Sequence, residues 1–389
     1  MPEDIRTSKT VLLTGGRAPV ALELARLFHA AGHRVVLAES FAYPLGRFSR
    51  AVAKCYRVPP PNPDPEAFLT AVADLVVSER VDLLIPTCEE VFHLARGAAQ
   101  LGPDGLLFAP PWSLLRDLHS KWEFIRRAEA HGFEVPATRK LCSRQDLVAW
   151  VDGLPLGRRL VLKPVYSRFA TKVHCLVVGQ PLPEVVPSAA EPWVVQDFVE
   201  GRAICTYGIA REGRLVAHAA YAADFTAGQG ACINFAPLEH AGLLSWVRRF
   251  VDEESLTGQL AFDFIETSDG RLLPLECNPR ATSGVHLFSA TDRLDLAFLD
   301  GGTLRCPSPR TTAMLGVAMF AYGLPAVRSL ARFKQWLAVV ARSRDVVFRW
   351  SDPLPFFTQF VAYGAVLRAS RRSGLSPLEV TTRDIEWNG

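Results

Sequence analysis

The chain contains no run of eighteen consecutive apolar residues, so no segment has the length needed to cross a bilayer as a helix. Its eight cysteines, at 55, 88, 142, 175, 205, 232, 277 and 306, include no C-x-x-C pair and no Cys/His zinc spacing. A disulfide framework is equally out of place in 389 residues, because such frameworks belong to small secreted domains. The dinucleotide motif G-x-G-x-x-G is missing. Net charge is only +3, which offers no general attraction for nucleic acid. The first ten residues lack an apolar core, so a signal peptide is not expected and the expected location is cytoplasmic.

What remains is the composition of a packed globular enzyme, long enough to need two or three domains. Thr10–Thr14 is an apolar run closed by Gly15-Gly16. Residues 18–31 carry helical periodicity, and Arg34–Glu39 reads as a second strand. A helix after Pro65, a strand over 81–85, a helix over 91–99 and a strand over 106–109 continue the alternation. That alternation predicts a parallel sheet wound by helices. The Gly15-Gly16 turn belongs to this fold and does not by itself indicate a cofactor.

The pattern changes near residue 120. Ser120 and Glu123 have the spacing of a helix-capping box, and Ser143 with Asp146 starts another helix in a similar way. From Arg159 onward, strand-like runs follow one another, two of them joined through Glu212-Gly213, which indicates an antiparallel region. Pro-rich stretches at 59–65 and 181–187 read as loops.

The segment Leu260–Arg280, LAFDFIETSDGRLLPLECNPR, is the most informative. Asp269-Gly270 between apolar runs is a strong hairpin signal, since glycine tolerates the positive φ of a type I′ turn. A two-residue loop there sets Ser268 opposite Arg271, Glu266 opposite Leu273 and Asp263 opposite Glu276. Opposed residues share a face, and two carboxylates so close repel unless a cation lies between them. Side chains alternate along a strand, so Asn278 and Arg280 extend from the face of Glu276, while Glu266 falls on the other face. Asp263, Glu276 and Asn278 offer only hard oxygen donors, which suit magnesium rather than zinc. The planar fork of Arg280 suits a phosphate or carboxylate. A surface hairpin with exposed charges, or a plain salt-bridge network, would give the same pattern.

These residues resemble the metal and phosphate motif of the ATP-grasp superfamily, in its carboxylate–amine ligase and carbamoyl-phosphate-synthase-like branch. The pattern of an Asp, twelve intervening residues and E-x-N-x-R appears as Asp263, Glu276, Asn278 and Arg280. The resemblance covers most of residues 9–300. It implies that Lys121, in SKWEFIRRAEAHGFEVPAT, and Lys163, in LVLKPV, bind ATP phosphates. WVVQDFVEGR is similar to the strand and hinge that hold adenine. Gln196 would then meet the base, the Asp197 and Val199 backbone would complete its recognition, and Phe198 would pack nearby. Two departures stand out. Ala203 occupies the position where a glutamate often binds ribose, leaving Glu200 as a substitute. The loop Tyr166–Thr171 lacks the usual glycines, so Ser167, Arg168 and Thr171 would supply donors from their side chains.

The resemblance implies an ATP-grasp fold with an N-terminal Rossmann-like α/β domain (1–118), a small α+β lobe (119–195), a large lobe bearing the metal site (196–304) and a C-terminal basic extension (305–389). It implies ATP with two magnesium ions, manganese being an alternative. It further implies an ADP-forming ligase that activates a small carboxylic or amino acid as an acyl phosphate for attack by an amine, with Arg280 and Lys163 as catalytic groups. For the acceptor pocket, Ser283 and His286 are candidates after the metal strand, with Arg168 from the loop. Glu89 and Glu90, beyond the strand ending at Ile85, could meet a substrate ammonium; they equally suit a helix N-terminus.

From Gly301 to Gly389 there are 12 Lys and Arg against 5 Asp and Glu, a local +7 that leaves −4 for the rest. Leu330, Phe333, Leu337 and Val340 fall at near-helical spacing among arginines. Such a helix packs on its own domain or lies on an anionic membrane, and the tail's aromatics could cover the active site or a homodimer partner. Two rival readings remain at this level: phosphoryl transfer without ligation, including bicarbonate activation, and a regulatory nucleotide-binding module without catalysis.

Overall fold

The computed structural model describes residues 8–167, 172–227 and 231–389. The N-terminal part alternates strand and helix: β1 (Thr10–Thr14), α1 (Pro19–Ala30), β2 (Arg34–Glu39), β3 (Lys54–Arg57), α2 (Pro65–Ser78), β4 (Leu83–Ile85), α3 (Glu90–Arg96), α4 (Ala98–Leu101) and α5 (Trp112–His119). The sheet is parallel, in the order β3-β2-β1-β4. Its central strands are apolar on both faces because helices cover both.

One strand is new here and two expectations change. β3 escapes sequence reading because KCYR is a short edge strand with no apolar alternation. The strand expected over 106–109 shrinks to a single parallel bridge between Leu84 and Leu107. The helix expected over 91–99 breaks at Gly97, where a Cβ would stand 2.3 Å from a methyl of Leu69.

The small lobe comprises α6 (Lys121–Ala130), β5 (Thr138–Leu141), α7 (Arg144–Val151), β6 (Arg159–Pro164), β7 (His174–Val177) and β8 (Trp193–Asp197). The strands form an antiparallel sheet, β5-β8-β6-β7. Ser120 Oγ accepts from the Glu123 N–H at 3.2 Å and Ser143 Oγ from the Asp146 N–H at 3.1 Å, so both helices begin at the expected caps. β8 spans Trp193–Asp197 and so crosses the expected 195/196 boundary.

The large lobe adds β9 (Arg202–Arg211), β10 (Arg214–Ala222), β11 (Thr226–Ala227), β12 (Ala231–Cys232), β13 (Asn234–Phe235), α8 (Ala241–Glu253), β14 (Gly258–Glu266), β15 (Leu272–Asn278) and α9 (Leu294–Leu299). Its main sheet is antiparallel, β10-β9-β14-β15. The β9–β10 turn holds Glu212 and Gly213 at φ 48° and 77°, the left-handed pair that a tight hairpin needs. α8 buries Leu243, Trp246, Val247, Phe250 and Val251, a one-sided helical stripe, against Phe262 and Phe264 of the sheet.

The extension contains β16 (Ala313–Met314), α10 (Gly316–Ala318), a π turn at Met319–Gly323, α11 (Leu330–Arg342), β17 (Arg344–Asp345), α12 (Leu354–Ser373) and α13 (Pro377–Val380). It is bound into the molecule. β16 pairs with β13 and β17, and among the described residues four ion pairs reach the first domain: Arg17 with Asp384, Arg26 with Asp352, and Glu23 with both Arg344 and Arg349. Trp387 stacks on Phe92 with ring centroids 5.1 Å apart and meets Tyr166 edge-on at 5.0 Å. Of the stripe read in α11, Leu330, Phe333 and Leu337 are exposed, while Val340 packs with Val339 beside the buried Trp336.

Candidate active site

The β14–β15 hairpin reaches the expected pairing of Asp263 with Glu276 by an unexpected route. Its loop has three residues, 268–270, closed by the Thr267 N–H donating to the Arg271 carbonyl at 3.0 Å, with Gly270 at φ +84°. Pairing therefore starts one residue out of the expected register: Glu266 faces Leu272, and Phe264 faces Pro274. The opposition of Ser268 to Arg271 and of Glu266 to Leu273 is corrected accordingly. Leu275 then stands as an extra residue in a bulge beside Pro274, which has no N–H to give to a ladder. The bulge restores Asp263↔Glu276, Phe262↔Cys277 and Ala261↔Asn278.

Cationic and acidic groups meet at this point. Lys121, on the first turn of α6, sets Nζ 3.3 Å from Glu276 Oε2 and 2.9 Å from the Ser167 carbonyl. Lys163, on β6, sets Nζ 3.2 Å from Gln196 Oε1 and 3.4 Å from the carbonyl of the bulge residue Leu275. Asn278 Nδ2 lies 3.4 Å from Glu276 Oε1, and an Arg280 guanidinium nitrogen 3.4 Å from Asn278 Oδ1, so Glu276, Asn278 and Arg280 form one ladder along the strand. Glu266 points elsewhere and pairs with His240 at 3.0 Å.

Burial, then the neighbouring charge of Glu276, pushes the Asp263 carboxyl up to about 7. Burial alone would raise Glu276 too, but Lys121 and Lys163 hold it down at about 2. Burial lowers the Lys163 ammonium to about 8. Two carboxylates that repel one another form a site that gains from a hard cation. Among the described residues no group of three or more His, Cys, Asp or Glu gathers to hold a metal, so any ion here rests on two carboxylates and Asn278.

A cleft of about 430 Å³ opens beside Lys163, walled by Arg159, Val161, Leu275 and the hinge Gln196–Gly201. It brings together Gln196, Asp197, Phe198, Val199 and Glu200. The Gln196 amide is already engaged at both ends, by Lys163 and by Thr138 Oγ1 at 2.9 Å. The Val199 N–H has no acceptor among the described residues. Arg159 lies 3.7 Å over the Phe198 ring and pairs with Glu200 at 2.5 Å, while Arg158 grips Asp197. Gly201 is required at the hinge, because a Cβ there would stand 2.2 Å from the Glu266 carbonyl oxygen. Arg159 was missed from the sequence, although the alternation Arg159, Val161, Lys163 on one strand face was available to find it.

The remaining candidates are dispersed. Ser283 and Glu89 line a second cavity that also contains Arg280. Glu90 is buried beside it and accepts from Thr14 Oγ1, Thr87 N–H and Cys88 N–H at 2.7, 3.0 and 3.1 Å, a turn-closing role. His286 is buried 3.2 Å from Glu23, within the network of Arg344 and Arg349. Arg168 lies outside the described residues. At the first βα turn, Glu39 is taken up by Arg17, itself bound to Asp384. The position where a dinucleotide ribose would meet an acid is thus filled by the chain's own ion pair.

No protein-family model matches the chain, and no curated protein matches it. Solved structures do. The L-amino acid ligase from Bacillus licheniformis is 16% identical, with a TM-score of 0.60 over 79% of each chain. The N5-carboxyaminoimidazole synthetase from Staphylococcus aureus, complexed with ADP, is 12% identical, with a TM-score of 0.63 over 81% of this chain and 85% of that one. The biotin carboxylase domain of the Hydrogenobacter thermophilus 2-oxoglutarate carboxylase, in complex with MgADP, ADP and bicarbonate, is 13% identical, with a TM-score of 0.59 over 77% and 71%. At such identities the likeness is one of fold.

Proposed function

We propose that this chain, which carries the ATP-grasp fold, is an ATP-dependent ligase joining a carboxylate to an amine through an acyl phosphate. The observation that carries the reading is the convergence of Lys121, Lys163, Asp263, Glu276 and Asn278 at one end of the hinge-walled cleft. Adenine would occupy that cleft, with the unclaimed Val199 N–H as a donor to the base and Glu200 near the ribose.

Asp263, Glu276 and Asn278 would hold magnesium, two ions on the family pattern, and magnesium bound there supplies charge neutralisation for the phosphates. Lys121 and Lys163 bind the phosphate oxygens as flexible cations. A carboxylate oxygen attacks the γ-phosphorus, the bond to the β-phosphate oxygen breaks, and ADP leaves. The amine nitrogen then attacks the acyl carbon. Arg280 stabilises the oxyanion, inorganic phosphate departs, and the nitrogen loses its extra proton to solvent.

The test incubates the purified protein with ATP, magnesium and pooled acids and amines, following ADP, phosphate and any joined product by mass. ADP with a joined product supports the ligase. ADP without one favours phosphoryl transfer alone. AMP and pyrophosphate would exclude the acyl-phosphate route, and nucleotide binding without turnover would favour the regulatory reading that Ala203 suggests.

A further inference from the structure

Beyond Arg280 lies a cavity of about 790 Å³, a size that encloses a drug-sized ligand. The first domain contributes Val20 and Leu45, and the segment after β15 contributes Ala281. The extension closes the other side with Val347, Val366 of α12 and Ile385. Most of this wall is aliphatic or aromatic, and its rim is open and apolar, with Tyr322, Phe360 and Tyr363 all more than half exposed.

The charged groups of the wall are accounted for one by one. Arg17 is engaged by Glu39, Asp384 and the Thr381 carbonyl. Asp345 accepts from the N–H groups of Gly316, Val347 and Phe348 at 2.9, 2.6 and 2.7 Å. Glu89 accepts from the Trp387 N–H at 3.4 Å. Arg280 is different. Among the described residues its guanidinium makes only two long contacts, 3.3 Å to the Ala281 carbonyl and 3.4 Å to Asn278 Oδ1, out of five N–H donors.

We infer that the acid activated by this protein carries a bulky apolar tail, alkyl or aryl, which fills the cavity roofed by the extension while its carboxylate meets Arg280. This rests on the proposed ligase and names its substrate class. A polar acid such as succinate would leave its second carboxylate against aliphatic wall, without a partner and desolvated. The extension thereby acquires a role: it builds the tail-binding wall.

The test measures ADP release with hydroxylamine present, which converts an acyl phosphate to a hydroxamate and phosphate. The acids are acetate, butyrate, hexanoate, octanoate, 3-phenylpropionate, 4-methylpentanoate, leucine, succinate and aspartate. Each added methylene should raise kcat/KM about threefold to fourfold until the cavity is filled. The last two apolar acids separate a plain acid from an amino acid, and preference for either over succinate and aspartate supports the inference. Ala362→Trp on α12, and independently Ala321→Trp on the exposed opposite wall, should lower the octanoate-to-acetate ratio at least tenfold. Calorimetric binding of octanoate in the presence of ADP should fall with it. Preference for succinate or aspartate, with both tryptophan variants leaving selectivity unchanged, overturns the inference and leaves the ligase standing. Octanoate binding lost in both variants, with no acid turned over, keeps the apolar site and overturns the ligase.

Discussion

Glu276 and Lys121 are 155 positions apart in sequence, yet Lys121 Nζ sits 3.3 Å from Glu276 Oε2, tying the small lobe's first helix to the hairpin of the large lobe. Glu276 directly follows Leu275, which walls the cleft beside Lys163, so the contact links both lobes to the proposed metal site.

Glu276→Gln keeps the shape and removes the charge. Turnover should fall at least about a hundredfold, the scale of losing several kcal/mol of charge stabilisation. Glu266→Gln, on the other face of the same hairpin, should stay within about twofold of wild type. ADP release measures both, and an equal loss would dismantle the assignment.

Gly201→Ala places a methyl where the Glu266 carbonyl already stands. The hinge must shift away from β14, and the cleft beside Lys163 changes shape with it. ADP affinity should drop at least about tenfold, with a stability loss of about 1–3 kcal/mol typical of overpacking. Calorimetric titration and urea unfolding check the two effects; unchanged ADP binding would remove the hinge from the nucleotide site.

Acid should loosen the joint between the first domain and the extension. Burial alone would raise Glu23, but Arg344, His286 and Arg349 hold its carboxyl down at about 2, against about 4.3 when unfolded. A depressed carboxyl stabilises the fold above its unfolded value, so this contribution, on the order of 3 kcal/mol, is lost as pH falls from about 4.5 towards 2. His286, lowered by burial, acts in the same sense from about pH 6.5 downward. Urea midpoints at pH 7, 5 and 3.5 should therefore decline, and Glu23→Gln should be less stable at pH 7 with a flatter pH profile.

Trp387→Ala removes a ring packed on Phe92, Trp112 and Tyr166. Unfolding free energy should drop by about 2 kcal/mol, below the range for fully buried tryptophans because this one is only half-buried. Asp384→Asn should weaken the same docking by removing the ion pair between Arg17 and the tail. Protease nicking near residue 380 would report release of the tail.

The legible parts of this molecule were those governed by local chemistry. Thr10–Thr14 and Arg34–Glu39 are the strands their apolar runs announce, and Ser120 and Ser143 cap the helices they precede. The pairing of Asp263 with Glu276 was readable from the hairpin, and Asn278 and Arg280 followed Glu276 by alternation. What escaped depended on contacts distant in sequence. KCYR becomes a strand only because Val36–Glu39 lies beside it. His286 reads as a pocket residue until Glu23 is found against it, and the largely outward stripe of α11 cannot be told from a buried one without knowing that Trp336 takes the core. The large apolar cavity is assembled from three separate stretches of chain, none of which signals a pocket alone.

The bulge at Leu275 acts as a parity device. Strand faces alternate one by one, so deleting this single residue would turn Glu276, Asn278 and Arg280 away from the nucleotide cleft together, without altering any of them. Natural or engineered variants of this hairpin should therefore tolerate length changes at the 268–270 tip, yet reject any odd-numbered change between Pro274 and Glu276 that is not matched across the sheet.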